Sequence, residues 1–176
     1  MKLWLEKNQP LSIGILILIA AIMAFTIFNF RILNPVNGDF SRHNQYAVRL
    51  LRGEDIPPHI FAHPLYQLMV GFSIWISRSA LDADHGSIVL VTLSQAACAV
   101  IFYLWLGKRP TRFSEIWRVL LSVTIPLVAP IMLLQPLDGL YYFGYIGLAN
   151  YHNPTVILLK PFALLMLIYA ISGFKD

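Results

Sequence analysis

The chain is poor in cysteine and in charge. Cys98 is the one cysteine among 176 residues, so no internal disulfide can form. Only 12% of the residues are charged, whereas soluble domains have about 25%. The sequence lacks a P-loop, a dinucleotide fingerprint, a CxxC pair, an HExxH helix and a nucleophile elbow. It also has no basic stripe with interleaved aromatic residues. These absences disfavour conventional soluble enzymes and nucleic acid as a partner.

Apolar residues make up the rest of the composition. They account for 57% of the chain, and the mean hydropathy is +0.65. No water-soluble fold hides that much apolar surface, so the sequence predicts an all-α, polytopic membrane protein in a single membrane domain. Runs of span length predict about four transmembrane helices. They are placed at residues 11–30, 87–107, 116–134 and 155–172.

The orientation follows from the basic residues. Lys2 and Lys7 favour a cytoplasmic amino terminus, and the densest basic cluster, Lys108, Arg109, Arg112 and Arg118, favours a cytoplasmic loop. Both cytoplasmic assignments hold only if the run 64–77, which is too short to cross the membrane, forms a surface or half-inserted helix. The external loops are then 31–86 and 135–154. The expected location is the bacterial inner (plasma) membrane, with membrane lipid as a partner.

The first external loop is rich in polar groups that a bilayer rejects. Within it, the run from Phe40 to Leu51 predicts an amphipathic helix along the membrane surface, because apolar and basic residues fall on opposite sides. Gly53 and the following Pro57-Pro58 end that helix. The remaining acidic residues are interpreted as solvated loop charges; they are Glu54, Asp55, Asp82 and Asp84.

Several ionisable residues fall on or near the external face in this topology, namely Asp39, His43, Asp138, His152 and Lys160. Such a set suits general-base activation of a hydroxyl or amine. Asp39, Asp138 and His152 also have the donor types that hold a divalent cation against a phosphate. Arg42 or Lys160 would neutralise that phosphate.

Each of these residues also has a structural interpretation. Asp39 would cap a helix beginning at Ser41, and Asp138 with Gly139 would form a turn. His43 would be a solvated residue on a surface helix. Lys160 would extend its ammonium group to the membrane interface.

With loop and spans placed, the chain resembles the amino-terminal part of the GT-C superfamily of polytopic membrane glycosyltransferases. GDFSRHNQYAVRLLRGEDIPPHIFAHPLY is similar to the family's first external loop, and HPLYQLMVGFSIWIS to its later surface helix. Asp39 stands where the family has its essential acid, and PLDGL places Asp138 where a second-loop acid is expected. Family members have more spans, so the resemblance implies an incomplete chain.

The resemblance implies transfer of a sugar from a polyprenyl-phosphate-linked donor at the outer membrane face. Asp39 would be the catalytic base or a metal ligand. The expected substrate-binding residues are His43, Arg42, Asp138, His152, Asn153 and Lys160. The alternative is a small non-catalytic membrane protein, an assembly factor or accessory subunit, that packs against other membrane subunits. Small residues in the second span, such as Ala96 and Ala97, suit close helix packing in either case.

The topology makes a testable prediction. In a Cys98→Ser background, we expect a single cysteine next to Asp82 to react with an impermeant thiol reagent added outside. A single cysteine next to Thr111 should react only after the membrane is permeabilised, which gives the reagent access to the cytoplasmic side. The reverse pattern of labelling would contradict the assignment of 64–77 as a non-crossing helix.

Overall fold

The computed structural model describes residues 2–33, 39–58, 64–108, 113–127 and 154–173. Within those ranges the chain is all-helical, as the sequence predicts. Its helices are α1 (Lys2–Leu33), α2 (Asp39–Leu51), α3 (Leu65–Ile76), α4 (Ala83–Gly107), α5 (Glu115–Leu127) and α6 (Pro154–Gly173).

Helix α4 is the centre of the packing, and α1 is its most extensive neighbour. Leu16, Ala20 and Ala24 of α1 are fully buried, and their spacing of four residues places them along one side of the helix. On α4, Ala99 and Tyr103 belong to the same buried cluster. Because alanine side chains are small, the two backbones can approach closely.

Helices α1 and α4 run antiparallel. Ser12, early in α1, lies beside Tyr103, which is late in α4. After α1 ends, α2 contacts the first turn of α4 through Asn44 and Asp84. We call this end of the pair, where α1 finishes and α4 begins, the loop end. Both α2 and α3 therefore lie at the loop end, whereas the α4–α5 connection lies at the opposite end.

The predicted amphipathic helix is confirmed as α2. Phe40 and Ala47 are buried, whereas Arg42 and Arg49 are exposed. The helix ends at Leu51, and Gly53 follows with a left-handed φ of 68°, which suits a residue without a Cβ. The Gly53 and Glu54 amides donate to the carbonyls of Leu50 and Arg49, at 3.2 and 3.0 Å, which satisfies the last turn.

Two helices among the described residues are long and apolar enough to cross a membrane, Ala83–Gly107 and Pro154–Ile171. They correspond to two of the four expected spans. The apolar stretch Pro10–Thr26 within α1 is shorter, and the expected span 116–134 continues beyond the described part of α5. Helix α3 has 12 residues, about 18 Å at 1.5 Å per residue, which is too short to cross a core of about 30 Å.

At the opposite end of α4, Tyr103 contacts a partly buried ion pair within α5. The Arg118 guanidinium donates to the Glu115 carboxylate at 2.8 Å and lies 4.5 Å from the centre of the Tyr103 ring. The Tyr103 hydroxyl also donates to Glu115. Arg118, grouped in the sequence with the basic loop, is therefore engaged in helix packing.

Glycine permits a close approach between α3 and α4. A Cβ at Gly86 would overlap Ser73 Oγ, which is held by donating to the Val70 carbonyl at 2.7 Å. We expect Gly86→Ala to lower stability by about 1–2 kcal/mol, measured as apparent melting temperature in detergent. Adding Ser73→Ala should restore it.

Gly14→Ala is the matched control, because nothing lies within 4 Å of its added Cβ. It should raise stability by up to about 1 kcal/mol through helix propensity. Equal effects of the two glycine substitutions would contradict the α3–α4 contact.

Candidate functional site

The sequence-predicted residues of the first loop lie on α2. Asp39 is the first residue of that helix, which begins one residue before the run predicted from Phe40 and two before the start at Ser41 that a capping role for Asp39 requires. Arg42 is exposed and His43 is half-buried. In the chain of α2, Asp39 precedes His43 by about one helical turn.

The other predicted residues belong to later parts of the chain than α2. Asp138, His152 and Asn153 lie outside the described residues, so their convergence with Asp39 stays a prediction. Lys160 lies within α6, where it is partly buried, and α6 packs against α4. Cys98 of α4 is buried.

His43 is fixed by a hydrogen bond to α3. Its Nδ1 lies 2.7 Å from the side-chain nitrogen of Gln67. An amide nitrogen only donates, so Nδ1 accepts and the neutral ring carries its proton on Nε2. The ring also meets Tyr66 edge-on, with 6.0 Å between centroids. The structure thus holds His43 as an oriented N–H donor, where the sequence allowed a solvated side chain.

A chain of buried hydrogen bonds joins α2, α3 and α4. Asn44 donates from Nδ2 to the Asp84 carboxylate at 2.7 Å, and its Oδ1 accepts from the Tyr66 hydroxyl at 2.8 Å. The Tyr66 oxygen contacts Ser87 Oγ, which must therefore be the donor. Asn44, Tyr66 and Ser87 are at most 2% exposed. We call Asn44, Tyr66, Ser87 and Asp84 the polar network.

The direction of these bonds is set by protonation. Burial raises the pKa of the Tyr66 hydroxyl far above its usual range, and the Asp84 charge adds to that effect while the Ser87 hydrogen bond opposes it. Tyr66 therefore stays protonated and remains a donor at any physiological pH. Each buried polar group in the network has a partner, which is the condition under which such a group is tolerated inside a fold.

The interpretation of Asp84 as a solvated loop charge was wrong, whereas the Asp82 side chain is exposed as expected but also has a structural role. Asp82 caps α4 by accepting the His85 backbone N–H at 2.8 Å. That hydrogen bond is the main reason why the pKa of Asp82 lies below its usual value. Asp84 is half-buried and accepts from Asn44. An acid directly before a long apolar helix is an N-cap signal, so the role of Asp82 could have been read from the sequence.

The described residues contain no group of three or more histidine, cysteine, aspartate or glutamate side chains arranged to hold a metal ion. Of the three candidate ligands, Asp138 and His152 lie outside the described ranges. The divalent cation therefore stays a prediction.

Comparison with protein-family models, with curated proteins and with solved structures returns no match for this chain.

The polar network makes a prediction about stability. Tyr66→Phe removes one hydroxyl and leaves Asn44 Oδ1 and Ser87 Oγ buried without their partner. We expect a loss of about 1–3 kcal/mol, seen as a lower apparent melting temperature in detergent. Tyr169→Phe is the control, because Tyr169 is 82% exposed. Equal melting temperatures for the two variants would contradict the network.

Proposed function

We propose that this chain is the amino-terminal part of a GT-C-type membrane glycosyltransferase. The observation that carries the proposal is the placement of α2. This helix begins at Asp39 and is docked on the start of a span-length helix by a fully hydrogen-bonded network. In the GT-C superfamily, the first external loop likewise follows a span, opens with an acid and contains surface helices.

The proposed membrane arrangement has four spans, a cytoplasmic amino terminus and the loop end on the external face of a bacterial plasma membrane. The separation of the two ends of α4 supports it. Surface helices and the acids Asp82 and Asp84 lie at the loop end, whereas the basic residues Lys108 and Arg118 lie at or beside the α4–α5 connection. Cytoplasmic connections are characteristically rich in lysine and arginine.

The proposed reaction transfers a sugar from polyprenyl phosphate to an acceptor hydroxyl or amine. The bond between the anomeric carbon and the phosphate oxygen breaks, and polyprenyl phosphate leaves with the electron pair. The acceptor atom forms the new bond, and its proton passes to Asp39. Arg42, which is exposed beside that position, would neutralise the phosphate, and His43 would donate from Nε2.

In the proposed site, Asp138, His152, Asn153 and Lys160 come from the second external loop and the helix that follows it. They would hold the sugar and phosphate of the donor through charge-assisted hydrogen bonds.

The test is transfer of radiolabelled hexose from undecaprenyl phosphate by membranes containing the full-length protein. Removing a general base lowers rates by about 10²–10⁴-fold, so Asp39→Asn should abolish measurable transfer. Asp55→Asn makes the same chemical change at an exposed position of the same loop and should leave the rate unchanged.

Two outcomes would contradict the proposal. Full activity of Asp39→Asn would remove Asp39 from the mechanism. No turnover by the wild-type protein with any polyprenyl-linked sugar would favour the alternative, a non-catalytic subunit that packs against larger membrane proteins.

A further inference from the structure

An open cleft lies at the loop end, between α2 and the start of α4. Its volume is about 540 Å³, within the range of roughly 300–1,000 Å³ that small-molecule sites have. One wall is α2 with the residue that follows it and carries Arg49 and Arg52, and the other is the N-cap and first turn of α4, with Asp82 and Asp84. Basic and acidic groups therefore face each other across the same space.

The two walls are not joined by ion pairs. In the described part of the chain, Arg49 and Arg52 pair only with Glu54, at 4.0 and 3.7 Å. These side chains are about half to two-thirds exposed, and exposed pairs at such distances contribute little. Both guanidinium groups can therefore exchange this weak contact for a better anion.

The acidic wall is fixed by hydrogen bonds. Asp82 is held by the His85 backbone N–H, and Asp84 is held through Oδ1 by Asn44. Asn44 is in turn held by Tyr66. A carboxylate accepts several hydrogen bonds. Asp84 therefore keeps acceptor capacity for a cation in the cleft, while the hydrogen bond from Asn44 sets its orientation.

The length of α4 sets the height of the cleft in a bilayer. Its 25 residues extend about 37 Å, which exceeds a hydrocarbon core of about 30 Å and is less than the 40–45 Å that includes the head groups. The first turn of α4 therefore reaches the head-group layer. Amphipathic α2 lies at the same end, as a surface helix would.

We propose that this cleft binds the head group of an aminophospholipid. The phosphate lies against Arg49 and Arg52, and the primary ammonium donates to Asp84 and Asp82. A purely anionic head group would meet the carboxylates, and a quaternary ammonium has no N–H to donate. The site is independent of sugar transfer, so it stands whether or not the proposed catalytic activity exists.

The experiment measures lipid retention. Full-length protein is released from nanodiscs that contain equal amounts of phosphatidylethanolamine and phosphatidylcholine with the same acyl chains, and native mass spectrometry counts the lipids that remain bound. We expect the wild-type protein to retain phosphatidylethanolamine about fivefold more than phosphatidylcholine, as charge-assisted hydrogen bonds to a primary ammonium allow.

Variants on each wall test the two halves of the site. The double variant Arg49→Gln/Arg52→Gln changes exposed residues only and should remove the preference. Asp84→Asn, on the opposite wall, should also remove the preference for phosphatidylethanolamine. The matched controls, Arg78→Gln and Asp55→Asn, change exposed residues outside the cleft and should retain the full preference.

Three results would overturn the proposal. Equal retention of the two lipids by the wild-type protein would exclude recognition of the ammonium group. An unchanged preference in the double arginine variant would place the lipid elsewhere. Displacement of the lipid by soluble phosphoethanolamine at the same molar concentration would show that the cleft takes a free zwitterion, and the assignment to a membrane lipid would be wrong.

Discussion

The loop end depends on one buried amide. Asn44 faces the packed side of α2 at 2% exposure, where a polar side chain without partners would cost several kcal/mol. It is tolerated because Tyr66 satisfies its oxygen and Asp84 accepts from its nitrogen. Both partners come from other helices, so the amide is satisfied in only one rotation and one register of α2. Apolar packing alone, through Phe40 and Ala47, would allow α2 to slide along the helices on which it packs.

Fixing α2 has consequences for both proposed sites. The same helix begins at Asp39 and carries His43, whose ring is held by Gln67. It also carries Arg49, which faces the cleft. Asp84 belongs to both the network and the cleft wall, so packing and binding share one carboxylate. A rigid scaffold behind a polar surface is what positioning of a substrate or head group requires.

Local patterns in the sequence predict much of this fold but few of the side-chain contacts that join its helices. The amphipathic pattern from Phe40 and the stop at Gly53 predict α2, since both depend on nearby residues. The bond between Asn44 and Asp84 joins positions 40 residues apart, and no periodicity encodes such a pair. Local sequence alone therefore predicts a solvated charge at Asp84, which the structure contradicts. The partial burial of Lys160 is likewise set by how α6 packs on α4.

The most direct test of this account is amide hydrogen exchange along α2 in the detergent-solubilised protein. If the polar network fixes the helix, residues 42–51 should exchange slowly in the wild-type protein, as a docked helix does. In Asn44→Ala they should approach the rate of the neighbouring residues Asp55 and Ile56, while the protection of α1 and α4 is kept. Rapid exchange of α2 in the wild-type protein, or unchanged protection in Asn44→Ala, would contradict the central role of the network.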